Sequence, residues 1–328
     1  MASQSAPAAG PVLGYAWDQS SGGLRPIRGV PGSSTLGAVA LSGASYIAEA
    51  HSTRSGMAVL LDAQGNVYQE ALNGGSLIRV AAVTGGTSLA LSSSGAYALV
   101  TGKSAGGGSV AALISGLDQT ASTHQALLTT LDVSTLPSII AGSVSDTGAA
   151  AIASGAGGPA RIVAFPTGKP MLQVMQLGAF GGMQFVPNSD QLILADNASG
   201  AVSSVAHVNA AALTIAALST GAGIAAPVSL DLTSDGRWVV AANHAGDVLR
   251  VDLTGLQAAS KVHCSCAPTE VRALNGAAVQ LVTGSVVTGS VVTGGGGPLW
   301  TVDAGGAAPR VFFIPAIASV SLVANASR

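Results

Sequence analysis

Charge is the scarcest property of this chain. Of its 328 residues only 9% are Asp, Glu, Lys or Arg, against about 25% in an ordinary soluble domain. Thirteen Lys and Arg face fifteen Asp and Glu, for a formal net charge of −2. The basic residues are scattered, and nucleic-acid binding needs clustered cations to displace phosphate counterions. That function class is therefore excluded. So little net charge also gives weak colloidal repulsion, which permits self-association. Aromatic residues are equally sparse at 4%, although hydrophobic residues reach 48%. The core must be built from Ala, Val and Leu.

Long apolar runs are missing too. The best candidate, Val311 to Val323, is too short for a membrane span and contains Pro315, so no transmembrane helix is expected. The opening residues MASQSAPAAGP are polar and carry no signal peptide. They read like the start of a mature exported protein. With low Lys and Glu and abundant Ser, Thr, Ala and Gly, the expected location is extracellular or the cell surface.

Only two cysteines occur, Cys264 and Cys266. On a strand, residues two apart point to one face, and a disulfide across one residue is strained there. The expectation is two small side chains on a strand face without a bond. A Cys-Ser-Cys metal site would need more ligands, and the adjacent His263 would face the other way.

What the sequence does contain is a repeat. Leu230 to Asp252 reads LDLTSDGRWVVAANHAGDVLRVD: a strand, a Ser-Asp-Gly turn, a second strand, a Gly turn and a third strand. Related segments are SGMAVLLDAQGNVYQE from Ser55, SGAYALV from Ser94, DTGAAAIA from Asp146, PNSDQLILAD from Pro187 and NGAAVQLV from Asn275. Their first turns, at Gly56, Gly95, Gly148, Asp190, Gly236 and Gly276, are spaced by roughly 39, 53, 42, 46 and 40 residues. Fourth strands follow as LIRVAAV, HQALLTT, MLQVMQL, LTIAALS, KVHCSCA and RVFFIPA. Units of 40 to 50 residues with four short strands are the signature of a β-propeller. In the last unit Leu281 to Gly295 repeats a five-residue motif, LVTGS-VVTGS-VVTGG, expected to lengthen a hairpin.

Six units are complete. The N-terminus begins part-way through a seventh: Gly10 to Asp18 matches a third strand and Leu24 to Val30 serves as a fourth. The tail Ala318 to Ala324, ASVSLVA, alternates like a first strand. An all-β propeller of seven four-stranded blades follows, its last blade shared by N- and C-terminal strands. Residues 10–328 form the single domain, and residues 1–9 are a tail or an exchanged strand. The place of strand two in the shared blade is poorly supplied, since residues 1–8 are polar and include Pro7. The repeated turns resemble the broad group of seven-bladed propellers that includes lactonase-like and surface-layer-type repeat proteins. That resemblance speaks for fold, because propellers host unrelated functions.

Chemistry-bearing residues are few. There are three Glu, namely Glu49, Glu70 and Glu270, and five His: His51, His124, His207, His244 and His263. No pair has metal-ligand spacing. His51, before a first turn, and His244, within a second, read as solvated loop residues. Asp146, Asp190 and Asp235 sit at the repeated turn, where Asp bonds the backbone. Only Asp231 and Arg272 stand out as charges on first strands, as a small polar site or a buried ion pair. The tract Leu24 to Gly32, LRPIRGVPG, reads as a protected edge strand. Asn197 and Asn325 fit the glycosylation pattern.

No catalytic, cofactor-binding or metal-binding residue is assigned, and no cofactor is expected. The leading expectation is a non-enzymatic structural or interaction propeller, secreted and self-assembling through terminal strands, with itself or another protein as partner. The alternatives are a monomeric ligand- or protein-binding propeller and a lactonase-like hydrolase. The resemblance implies Asp, Arg and His clustered at a central channel for the last of these.

Overall fold

The computed structural model describes residues 10–18, 23–42, 46–72, 74–117, 126–210, 213–219, 223–275, 279–286 and 299–314. Every regular element among them is a β-strand, and the strands form seven antiparallel sheets arranged as a propeller. Blade 1 runs over Val12–Ser42, blade 2 over Tyr46–Ala82 and blade 3 over Gly86–Thr130. Blade 4 spans Ile139–Leu177, blade 5 Phe180–Ser219, blade 6 Pro227–His263 and blade 7 Cys266–Ile314. In blades 2 to 7 the four strands lie side by side in chain order. The first strands are innermost and pack against their counterparts in the next blade.

The composition explains this packing. Second strands are covered on both faces by neighbouring blades, so they read as continuous apolar runs rather than alternating ones. Met57–Asp62 and Trp238–Asn243 are buried at every position. Between blades 4 and 5 the core consists of Ala149, Ala151, Ala153 and Ala160 against Phe185, Leu192 and Leu194. Small side chains let the sheets approach closely, which is why so few aromatics suffice.

The repeated first turn needs a left-handed residue. Gly95, Gly148 and Gly236 have φ of +78°, +82° and +71°, and each donates its N–H to the carbonyl three residues earlier, at 2.9, 3.1 and 2.7 Å. In blade 5 Asn188 takes the left-handed conformation, with φ +55°, which Asn tolerates better than most residues.

Blade 1 is drawn from the N-terminal residues, but its strands stand one place further inward than expected. Val12–Asp18 pairs with Gly23–Val30 along one edge. Ser33–Leu36 and Leu41–Ser42 share the opposite edge of Gly23–Val30. The sheet therefore has four strands in three rows. Ser33–Leu36 lies by the outermost strand of blade 7, and Leu41–Ser42 leads directly into the innermost strand of blade 2. Val12–Asp18 thus takes the second place and Gly23–Val30 the third. The expected vacancy at strand two does not exist, because Ser33 to Ser42 supplies the outer row after a tight Pro31-Gly32 turn. Residues 1–9 and 318–324 lie outside the described residues. Blade 1 closes the ring: Leu13, Ile27 and Leu36 pack on Leu274, Leu281 and Leu299 of blade 7, while Tyr15 and Leu24 pack on Ala58 and Leu72 of blade 2.

Two further expectations are revised or extended. Cys264 and Cys266 form a disulfide. They do not share a strand: the outer strand of blade 6 ends at His263 and blade 7 begins at Cys266. The intervening connection brings their Cα atoms to 5.2 Å, within the range a disulfide spans. In blade 7, Cys266–Ala273 and Val279–Val286 are eight residues each. They are the longest first and second strands of the complete blades, and Val279–Val286 carries the start of the five-residue repeat. The turn at Gly276 and the rest of the repeat lie outside the described residues.

Candidate functional site

An innermost strand has one unpaired edge, and its backbone N–H groups need partners. Side chains of the preceding blade provide them here. Ser229 Oγ accepts from the N–H of Val271 at 3.1 Å. Asp231 accepts from Ala273 N–H and from Leu232 N–H, both at 2.7 Å. Ser143 donates its hydroxyl to Gln184 Oε1 at 3.0 Å. A hydroxyl and an amide thus link the inner strands of blades 4 and 5, and a hydroxyl and a carboxylate those of blades 6 and 7.

On the other side of the channel the linkage is ionic. Glu49, on Tyr46–Ser52 of blade 2, is buried, with 2% of its side chain exposed. One carboxylate oxygen receives Arg272 Nη1 of blade 7. The other meets His51 Nδ1 at 3.1 Å. Arg272 also donates from Nε to Glu270 at 2.7 Å. The pair joins blades 7 and 2 across the inner end of blade 1, whose Tyr15 sets its ring edge-on to His51 with centroids 6.0 Å apart. Tyr15 is fixed by its hydroxyl, which donates to Leu72 O at 2.8 Å.

Glu49, His51, Gln184, Asp231 and Arg272 line one open cavity of about 200 Å³ at the turn end of the channel, formed by blades 2, 3, 5, 6 and 7. Its electrostatics are asymmetric. Burial would raise the carboxyl of Glu49, but Arg272 and His51 beside it hold it down, at about 2. The Arg272 guanidinium is correspondingly raised, with Glu49 and Glu270 outweighing its burial. Asp231 is raised to about 6: burial dominates, and its two backbone N–H bonds and Arg272 only partly offset it. The site can therefore present a fixed cation–anion pair and a carboxyl that titrates close to neutrality.

The expectations for individual residues divide. Asp231 and Arg272 do come together at the cavity. His51 is not a solvated loop residue, since it lies on a strand with 2% of its side chain exposed. His244, His207 and His263 are exposed, the last facing Asp247 at 3.3 Å; His124 lies outside the described residues. The turn aspartates act on the backbone. Asp146 accepts from Ser94 N–H at 2.6 Å and Asn188 N–H at 2.7 Å, Asp190 from Asn209 N–H at 3.0 Å and Asp235 from Arg237 N–H at 3.0 Å. Asn197 donates its amide to Pro227 O at 2.8 Å, so a glycan there would break an inter-blade bond; Asn325 lies outside the described residues. Among the described residues no three His, Cys, Asp or Glu are grouped to hold a metal ion, and no helix is long and apolar enough to cross a membrane.

Glu49 was missed by sequence reasoning. Asp231 stands five residues before the turn glycine Gly236, and the same count back from Gly56 falls on His51. That offset would have marked Tyr46–Ser52 as a first strand carrying both His51 and Glu49.

No protein-family model matches the chain, and no curated protein matches it by sequence. Solved structures do match in shape. A protein from Lactobacillus plantarum is similar over 93% of this chain and 96% of its own, with a TM-score of 0.60 and 12% identity. A chain of the mitotic checkpoint complex matches over 83% and 80%, with a TM-score of 0.52 and 13% identity. Virginiamycin B lyase from Staphylococcus aureus matches over 82% and 84%, with a TM-score of 0.51 and 12% identity. At such identities the likeness shows the propeller fold alone, and the functions of these neighbours differ from one another.

Proposed function

We propose that this propeller is a non-enzymatic binding module that takes a small polar molecule into the mouth of its central channel. The observation that carries this reading is the convergence of Glu49, His51, Asp231 and Arg272, from three blades, on one open cavity in a chain so poor in charge. Concave sites with a few convergent polar groups are where small ligands bind. A screen of small polar molecules by protein NMR tests it. Hits are expected to shift signals of Asp231, Arg272 and His51. Hits that perturb only the outer strands would overturn it.

A second reading, protein interaction or self-association, rests on the outer rows. Leu127 is 65% exposed, Ile78 53% and Ile215 50%, and each lies on the outermost strand of its blade, whose outer edge has no partner strand among the described residues. Natural edge strands are ordinarily shielded by charge or proline. The partner is a second copy or another protein. Light scattering on the wild type and on Leu127→Lys tests it: association that the lysine abolishes is expected, and a monomer at every concentration would count against it. An extracellular location accords with both readings, because the Cys264–Cys266 disulfide is a form that oxidising compartments preserve.

A further inference from the structure

Several cations of this protein face carboxylates. Arg25 meets Asp18, Arg237 meets Asp252, Arg272 meets Glu49 and Glu270, and Arg310 meets Asp303. Arg54 differs. It stands on the first turn of blade 2, exposed, and lines the same cavity as Asp231 and Arg272. Its partner is the side-chain amide of Asn188, on the first turn of blade 5. With the amide oxygen turned toward the guanidinium, as its hydrogen bonds require, Arg54 donates from both terminal nitrogens at 2.9 and 3.1 Å.

Blades 2 and 5 lie on opposite sides of the ring, so this contact bars the mouth of the channel. Asp146 stands behind Asn188, and its two oxygens are engaged by the backbone N–H groups of Ser94 and Asn188. A guanidinium donates two parallel hydrogen bonds to an anionic carboxylate more strongly than to a neutral amide. An entering carboxylate therefore has something to displace and a gain in displacing it. The charge balance of the cavity limits the ligand further. Arg272 is already neutralised by Glu49 and Glu270, which leaves Arg54 as the cation on offer, and Asp231 on the cavity wall would repel a second negative charge.

We propose that the channel mouth selects small mono-anionic carboxylates, which Arg54 captures by exchanging the amide of Asn188 for the carboxylate of the ligand. This rests on the reading of the channel mouth as a ligand site and adds the class of ligand. It assigns Arg54 to recognition and Asn188 to holding the guanidinium in place across the channel mouth.

The experiment is a titration of the full chain with lactate, with its neutral isostere lactamide and with the dianion malonate, in a buffer free of carboxylates. It is followed by NMR of the arginine side chains and of the Ser92 and Ser93 amides. Lactate is expected to bind at least tenfold more tightly than lactamide or malonate and to shift the Arg54 signal. Arg54→Gln is expected to weaken lactate at least tenfold, and Arg54→Lys, which keeps the charge, to restore part of the loss. Circular dichroism confirms that both variants fold. Equal binding of lactate and lactamide, or unchanged binding to Arg54→Gln, would overturn the proposal. If lactate leaves the cavity signals unmoved while another small molecule shifts them, the carboxylate assignment falls and the ligand site stands. If nothing small shifts them, both fall.

Discussion

Two carboxylates face one cavity from opposite sides, and they behave oppositely. Glu49 on blade 2 is the more deeply enclosed, yet it is held ionised, with its carboxyl at about 2. Asp231 on blade 6 is only partly buried and is raised to about 6. Burial pushes both upward. The partners decide the outcome: Glu49 has a guanidinium and an imidazole against its two oxygens, whereas Asp231 has backbone N–H groups and a more distant Arg272. Depth alone does not fix protonation in this channel: at Glu49 Arg272 and His51 together outweigh desolvation, and at Asp231 two amide dipoles and a more distant Arg272 do not. The consequence is a division of labour. The blade 7–blade 2 side is an ionic seam that closes the ring, and the blade 6 side is the part able to change charge.

The comparison breaks most completely if Glu49 loses its cation. Arg272→Met leaves a buried carboxylate facing an apolar side chain. Removing one partner of a buried pair costs about 3–5 kcal/mol, so urea denaturation should show a loss of that order. The Glu49 carboxyl should move up past its ordinary value, since burial then acts with only His51 opposing it. The double variant Glu49→Leu with Arg272→Met should recover most of the loss, because no charge remains stranded. A double variant as unstable as the single one would mean that the pair itself, and not the orphaned charge, holds blades 7 and 2 together.

Much of this architecture was legible in the chain because turn chemistry repeats. Gly95, Gly148 and Gly236 need positive φ, and that need recurs at propeller spacing whatever the strands contain. The apolar second strands of blades 2 to 7 fall where the repeat put them, as do the outer strands of blades 2 to 5 and 7, while that of blade 6 ends at His263, short of the expected KVHCSCA. Blade 1 was placed one row too far outward because Val12–Asp18 matches third strands in composition, while Ser33 to Ser42, with a single large apolar residue in each of its short strands, carries little strand pattern. Two of the cavity residues, Asp231 and Arg272, were visible as charges on first strands. Glu49 was not, because its significance lies in a contact spanning 223 residues of sequence that exists only once the ring closes, and the place of His51 follows from its bond to Glu49. The disulfide escaped for a related reason: Cys264 and Cys266 are unfavourable partners on a strand, and the break between blades 6 and 7 takes them off it.

The same comparison predicts two pH limbs of opposite sign. Glu49 is depressed below its ordinary 4.5, so its contribution to stability is present above that value and is lost as pH falls through about 2. Asp231 is raised above its ordinary 3.8, so its contribution is present below 3.8 and is lost as pH rises through about 6. Stability should therefore climb from strong acid toward pH 4 and then decline toward pH 6, with the declining limb worth about 2 kcal/mol or less. Asp231→Asn isolates that limb. The amide has one oxygen where the carboxylate has two, so one of the N–H bonds from Ala273 and Leu232 is weakened, at a cost of about 1 kcal/mol that does not vary with pH. The absolute stability of the variant is thus uninformative, and the slope is what matters. Urea denaturation at half-unit steps should give an Asp231→Asn profile that loses most of its decline between pH 4 and 6, keeping only the part that Glu70, also raised by burial, contributes, and that is unchanged in its acid limb. A decline of undiminished size in the variant would assign it to another group and leave Asp231 as a backbone clasp only.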